Sequence, residues 1–130
     1  MTEENAQEII SQYDIVVDGC DNFSTRYLIN DICAKMGKVY VYGAICGFEG
    51  QVSVFHYGEE KKSYRDLYPD EEEMRRMPPP PKGVMGITPA VTGSIEATEV
   101  LKIICGFGEV LSGKLWTIDL HTLQSNKFSL

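Results

Sequence analysis

No apolar run in this 130-residue chain is long enough to cross a membrane, and no signal-peptide pattern opens it. The expectation is a cytoplasmic protein with no membrane partner. Positive charge is scarce: twelve Lys and Arg stand against nineteen Asp and Glu, for a net charge of −7. That balance argues against nucleic acid as the main partner. Cysteine is sparse as well. Cys20, Cys33, Cys46 and Cys105 form no CxxC pair, so neither a zinc site nor a disulfide framework is indicated, and all four read as small buried hydrophobes. A GxGxxG turn is also missing, which leaves a nicotinamide- or flavin-dependent reading without positive support. What remains suits a single domain, with 43% hydrophobic residues for an ordinary core.

One stretch organises the rest. Ile15-Val16-Val17 is a β-branched run that suits a strand buried on both faces. Asp18-Gly19-Cys20-Asp21-Asn22 breaks it with small and polar residues. Tyr27, Leu28, Ile32 and Cys33 then fall at helical spacing, with Asn22 or Ser24 as N-cap and Gly37 where a C-terminal cap belongs. In an open parallel sheet ligands bind at the carboxyl ends of strands, where Asp18, Asp21 and Asn22 would lie. The same residue types are ordinary in caps and turns, so spacing alone leaves both readings standing.

The chain before this stretch, residues 1–12, reads as a helix or arm, with Glu3, Glu4 and Glu8 solvated and Ile9 and Ile10 free to pack on the sheet. After it, Lys38-Val39-Tyr40-Val41-Tyr42 is a second strand, parallel to the first through a right-handed βαβ crossover. The glycine-rich run from Gly43 to Gly50 follows, either a close backbone approach to a ligand or a turn into the next strand. Residues 51–57 alternate as a strand with one exposed face, and His56 and His121 read as surface or satisfied histidines. Across residues 58–82 the pattern dissolves into charged runs and the prolines Pro78 to Pro81, an extended, irregular and mobile excursion. Thr88-Pro89 then opens a helix as N-cap and first residue, running to Gly106. Gly93 and Ala97 would allow its close approach to the sheet or to a neighbouring helix, and Glu99 and Lys102 would pair along it. Residues 114–119 and 124–128 close the chain as a hairpin.

Taken together, several motifs occur in a recognisable order. They are Val17-Asp18-Gly19-Cys20-Asp21-Asn22, Thr25-Arg26, Ile29-Asn30, Gly43-Ala44, Gly47-Phe48-Glu49-Gly50-Gln51, Gly83-Val84-Met85-Gly86 and the helical stretch 96–102. The sequence thus resembles the carboxyl-terminal part of the ThiF/MoeB/HesA family of ubiquitin-activating-enzyme-like adenylyltransferases, over residues 13–128. The resemblance implies an α/β fold, the carboxyl-terminal half of a Rossmann-like adenylation domain, with a parallel βαβ unit followed by antiparallel strands. It also implies ATP and magnesium, adenylation of the carboxyl-terminal glycine of a ubiquitin-like sulfur carrier in thiamine or molybdopterin biosynthesis, and a homodimer. Carried onto this chain, the second aspartate of the family's Asp-x-x-Asp-Asn motif is Asp21, which would serve magnesium and the phosphates. Cys20 and Asn22 would line the nucleotide pocket, and Arg26 would face the phosphates or the incoming glycine tail.

The sequence departs from the family in three places. It has no glycine-rich phosphate loop, no ribose-binding acid and none of the cations that grip the triphosphate, which makes residues 1–130 an expected partial domain and an inactive fragment. The zinc-binding Cys-Tyr-Arg-Cys-Leu run of many members is Ser63-Tyr64-Arg65-Asp66-Leu67, so zinc is expected to be absent. A cysteine that some members carry before the Gly-Val-Met segment is replaced by Pro79. A non-catalytic homologue that binds the carrier or dimerises is the alternative.

Overall fold

The computed structural model describes residues 2–59, 61–78, 83 and 85–130. The backbone order is α1 (Glu3–Ile10), β1 (Ile15–Val17), α2 (Phe23–Met36), β2 (Val39–Cys46), β3 (Glu49–Phe55), α3 (Tyr64–Leu67), α4 (Glu71–Arg76), α5 (Ile87–Cys105), β4 (Lys114–Asp119) and β5 (Gln124–Ser129). The strands form one sheet in the order β1-β2-β3-β4-β5. β1 runs parallel to β2, and every later pairing is antiparallel. This is the mixed α/β arrangement that the sequence pattern predicts.

Local chemistry explains the first unit. Asn22 caps α2, its side-chain oxygen accepting from the Thr25 amide at 2.8 Å, and Gly37 ends the helix at φ 68° in the left-handed region. β2 and β3 turn on Gly47 and Phe48 alone, with Gly47 at φ 60°. The run from Gly43 to Gly50 is therefore mostly strand. Gly43 and Gly50 lie inside the ladder, paired with Val52 and Ile45.

Two cores flank the sheet. On one side Tyr27, Tyr40, Tyr42, Phe55 and Tyr64 interlock with Ile10, Ile29, Cys33 and Met74, contributed by α1, α2 and α4. Their ring centroids lie 4.9 to 6.4 Å apart in mostly tilted or edge-on pairs, each worth about 0.5–1.5 kcal/mol beyond burial. On the other side α5 covers Val41, Val52 and Val54.

Several expectations are corrected here. Val17 is 50% exposed, so β1 is not buried on both faces; it is the outermost strand of the sheet. β3 is covered on both faces, because the aromatic cluster takes Phe55 and α5 takes Val52 and Val54. Residues 58–82 hold the two short helices α3 and α4, with Tyr64 and Met74 in the core, and are not irregular throughout. Of the four prolines, Pro79, Pro80 and Pro81 lie outside the described residues, as does Val84. Ile10 is buried against α2, whereas Ile9 is exposed. Only Cys33 is a buried hydrophobe; Cys20 is half-buried, and Cys46 and Cys105 are exposed.

The largest correction concerns α5. Its N-cap is Gly86, and Thr88 sits inside the first turn with its hydroxyl donating to the Gly47 carbonyl at 2.8 Å. Gly93 and Ala97 are exposed. The face turned to the sheet carries Thr88, Thr92, Glu96 and Glu99, all buried. Gly43 and Gly50 make this possible: a methyl group at either would overlap the Glu96 carboxylate or the Thr92 hydroxyl.

Candidate functional site

Asp18 follows β1 directly, and its side chain is fully enclosed. Four groups donate to it. The Cys20 amide and thiol reach Oδ1, each at 2.9 Å, while Arg26 Nε at 3.0 Å and the Tyr40 hydroxyl at 2.9 Å reach Oδ2. Arg26 Nη2 also donates to the Cys20 carbonyl at 2.8 Å. The loop after β1 is thus folded around one carboxylate and one guanidinium, tied to β2 through Tyr40 and to α2 through Arg26.

Electrostatics follow from this arrangement. Burial works against the Arg26 charge, but the Asp18 carboxylate outweighs it and holds the guanidinium above its ordinary range. Burial, helped by the hydrogen bond to Asp18, pushes the Cys20 thiol up to about 12. A thiol so held is no nucleophile at neutral pH.

The sequence-predicted residues part company in space. Cys20 and Arg26 line a cleft of about 140 Å³ together with Asp18, Gly19, Gly43, Thr92 and Glu96. Asn22 is exposed, its side chain spent on capping α2. Asp21 is exposed at the loop tip, where Oδ1 accepts from Asn22 Nδ2 at 3.2 Å. A magnesium ion shared with substrate phosphates needs only one or two protein carboxylates. Among the described residues no cluster of three metal-ligating side chains exists. Ser63 and Asp66, at the positions of zinc thiolates in the resembled family, form a capping box on α3: the Ser63 amide donates to Asp66 Oδ2 at 2.7 Å. His56 is a satisfied histidine, with Nε2 at 3.0 Å from Asn30 Oδ1.

Glu96 and Thr92 are the cleft residues that sequence reasoning missed. Glu96 is 6% exposed, and its Oε2 has no partner; Thr92 is 2% exposed, and its hydroxyl has none either. Burial and the Asp18 charge, opposed by Arg26, push the Glu96 carboxyl up to about 8. A signal was present: Thr88, Thr92, Glu96 and Glu99 recur at intervals of four, four and three, a polar stripe on one helical face. The small pair Gly93 and Ala97 lies one residue on from Thr92 and Glu96, on the flanking exposed side.

Comparison with known proteins is consistent along the whole chain. A family model described as the ThiF family matches residues 1–130. The chain is 46% identical over 132 residues to a probable molybdopterin-synthase adenylyltransferase of Pyropia yezoensis, covering 100% of this chain and 35% of that protein. It is 47% identical over 142 residues to a sulfur carrier protein adenylyltransferase of Thermus thermophilus, covering 100% of this chain and 50% of that one. The chain therefore spans between a third and a half of the length of these curated relatives. Its fold is similar to that of E. coli MccB, solved with ATP, at a TM-score of 0.74 and 16% identity over 99% of this chain and 40% of MccB.

Proposed function

The chain belongs to the ThiF family, and from that premise we propose that it carries the carboxyl-terminal part of an ATP-dependent adenylyltransferase site. The substrate is the carboxyl-terminal glycine of a ubiquitin-like sulfur carrier, serving thiamine or molybdopterin biosynthesis in the cytoplasm. The observation that carries this reading is the loop after β1, which exposes Asp21 at its tip while Asp18 and Arg26 lock its base. In the reaction the glycine carboxylate oxygen bonds to the α-phosphorus of ATP and pyrophosphate leaves. Both reactants are anionic, so positioning and positive charge supply most of the catalysis.

Each residue has a part in this reading. Asp21 would hold the magnesium ion, which when bound neutralises charge on the phosphates. Arg26 keeps the loop closed and adds a fixed positive charge beside the incoming tail. Cys20 closes the base of the nucleotide pocket, and Asn22 fixes the start of α2 beneath it. On this reading the chain holds no zinc, and the Ser63–Asp66 capping box does by hydrogen bonding what a metal does elsewhere in the family.

Among the described residues Arg26 is the one cation lining the cleft, and it is committed to Asp18. A triphosphate needs more positive charge than that, which favours a carrier-binding or dimerising role for the 130 residues acting alone. Carrier-dependent exchange of pyrophosphate into ATP tests both parts. The chain alone should not exchange; joined to the preceding half of one of the relatives above it should, and Asp21→Ala in that chimera should cost about a hundredfold or more. Exchange by the short chain unaided, or full activity of the Asp21 variant, defeats the reading.

A further inference from the structure

We propose that His56 is an acid-released clasp: its imidazole shares the Asn30 side-chain oxygen with the Tyr64 amide and holds residues 61–66 closed against α2, and its protonation lets that strap open. The clasp lies apart from the cleft and does not depend on the adenylyltransferase reading.

β3 ends at Phe55, and the chain turns at once. His56 takes φ 63° and Gly58 φ 78°, so the left-handed region is entered by a residue that carries a β-carbon. Histidine is among the side chains enriched there, but its surroundings still have to hold the conformation in place. Two contacts do so. The His56 amide donates to the Lys62 carbonyl at 3.0 Å, closing the chain back on itself. The ring reaches α2, where Nε2 lies 3.0 Å from Asn30 Oδ1 and 3.2 Å from the Asn30 carbonyl. Both neighbours accept, so Nε2 carries the proton of the neutral ring.

Asn30 is 1% exposed, and both polar atoms of its side chain are used. Oδ1 also accepts from the Tyr64 amide at 2.9 Å, and Nδ2 donates to Asp31 Oδ1 at 3.2 Å. Asp31 in turn holds Arg65 through both oxygens, at 2.9 and 2.7 Å. The strap is thus tied through Lys62 to His56, and through Tyr64 and Arg65 to two adjacent residues of α2.

A cation at His56 suits this setting poorly. Burial works against the imidazolium and holds the ring below its ordinary value of 6.5. The Asn30 carbonyl, Asp31 from α2 and Asp66 from α3 favour the charged ring, whereas Lys61 of the strap itself opposes it. Neither carboxylate is free to answer it. Asp31 is spent on Arg65, and Asp66 Oδ2 accepts from the Ser63 amide at 2.7 Å. In the open strap the ring is hydrated and takes its proton at the ordinary value; in the closed one it does so only at lower pH. Acid therefore favours the open form. The window begins near pH 6.5 and runs downward, and above it the clasp is at full strength.

Amide hydrogen exchange of the 130-residue chain tests this, read at pH 7.5 and pH 5.5 and corrected for the intrinsic rate. The reporters are the Tyr64 and His56 amides, whose acceptors are the Asn30 side chain and the Lys62 carbonyl. Their protection should fall by up to about tenfold at the lower pH, the factor by which a hydrated imidazole gains protonation over that interval. Amides of the β2–β3 ladder should lose none. His56→Asn suits the left-handed region and stays neutral, so it should show no such fall. The ring protons of His56 should titrate with a midpoint below 6.5. Equal protection of the two reporters at both pH values, an equal loss across the β2–β3 ladder, or a ring midpoint at or above 6.5 overturns the clasp; none of these readings needs a variant to fold. A His56→Asn variant that keeps the pH-dependent loss overturns it too.

Discussion

Asp18 Oδ2 and Arg26 Nε lie 3.0 Å apart, with side chains 0% and 9% exposed, eight residues apart in sequence. Either charge buried there without the other would lack its compensating partner. Removing one partner of a buried pair strands the other and commonly costs about 3–5 kcal/mol. Asp18→Ala should therefore destabilise the chain by several kcal/mol, whereas Asp21→Ala, at an exposed tip, should change stability by no more than ~0.5 kcal/mol. Urea unfolding of the two variants reads the contrast. A neutral Asp18 variant would mean that the loop is not built on this pair.

Glu96 predicts how stability varies with pH. Its folded value is raised from the ordinary 4.5 to about 8, chiefly by burial. Between those values the folded protein keeps a proton that the unfolded chain has lost, so raising the pH favours unfolding. The contribution is fully present below about pH 4.5 and is gone once the pH has risen through about 8. Urea midpoints should fall across this window in the wild type, and the Glu96→Gln variant should lose that part of the slope.

Gly50 and Thr92 predict a coupled pair. A methyl group at Gly50 would overlap the Thr92 hydroxyl, which stands close to its own backbone and cannot swing away. Gly50→Ala should cost about 1–3 kcal/mol, and adding Thr92→Ala should recover much of it. Gly43→Ala should cost less, because the atoms it meets belong to the movable end of Glu96. Thermal melts of the single and double variants give the coupling directly; additive effects would contradict the packing.

Ser63 and Asp66 bear on metal content. Their capping box already satisfies the first turn of α3, so elemental analysis should find no stoichiometric zinc and chelator should leave the melting temperature unchanged. Asp66→Ala should cost about 1 kcal/mol, the usual worth of a cap. One tightly held zinc per chain would reverse this reading.

Self-association is the last prediction. Leu101, Ile104 and Phe107 are exposed at the end of α5 and just after it, at 53%, 67% and 51%, and on the homodimer reading the contact lies along this helix, near Gly93 and Ala97. Sedimentation at micromolar concentration should show a dimer that Ile104→Glu weakens. A wild-type monomer under those conditions counts against it.

Much of this fold is written locally. Ile15 to Val17 make a strand, Asn22 and Gly37 bound α2, Gly106 ends α5, and each signal acts within a few residues of itself. The Asp18-to-Asn22 turn was legible for the same reason. Its internal division was not: Asp18, Cys20 and Asn22 become structural and Asp21 stays free only once α2 returns Arg26 to the loop and β2 brings Tyr40 beneath it. The helical period of α5 likewise offered two faces, an apolar one with small residues and a polar stripe. The sheet takes part of both: Ile95, Val100 and Ile103 pack on its valines, while Gly43 and Gly50, more than forty residues earlier, open space that the side chains of Glu96 and Thr92 fill. Propensity and capping act between neighbours, so the sequence alone determined where the elements begin and end. Burial of charge depends on partners brought from distant segments, so which carboxylates are locked, which are neutral and which are free was decided by the tertiary structure.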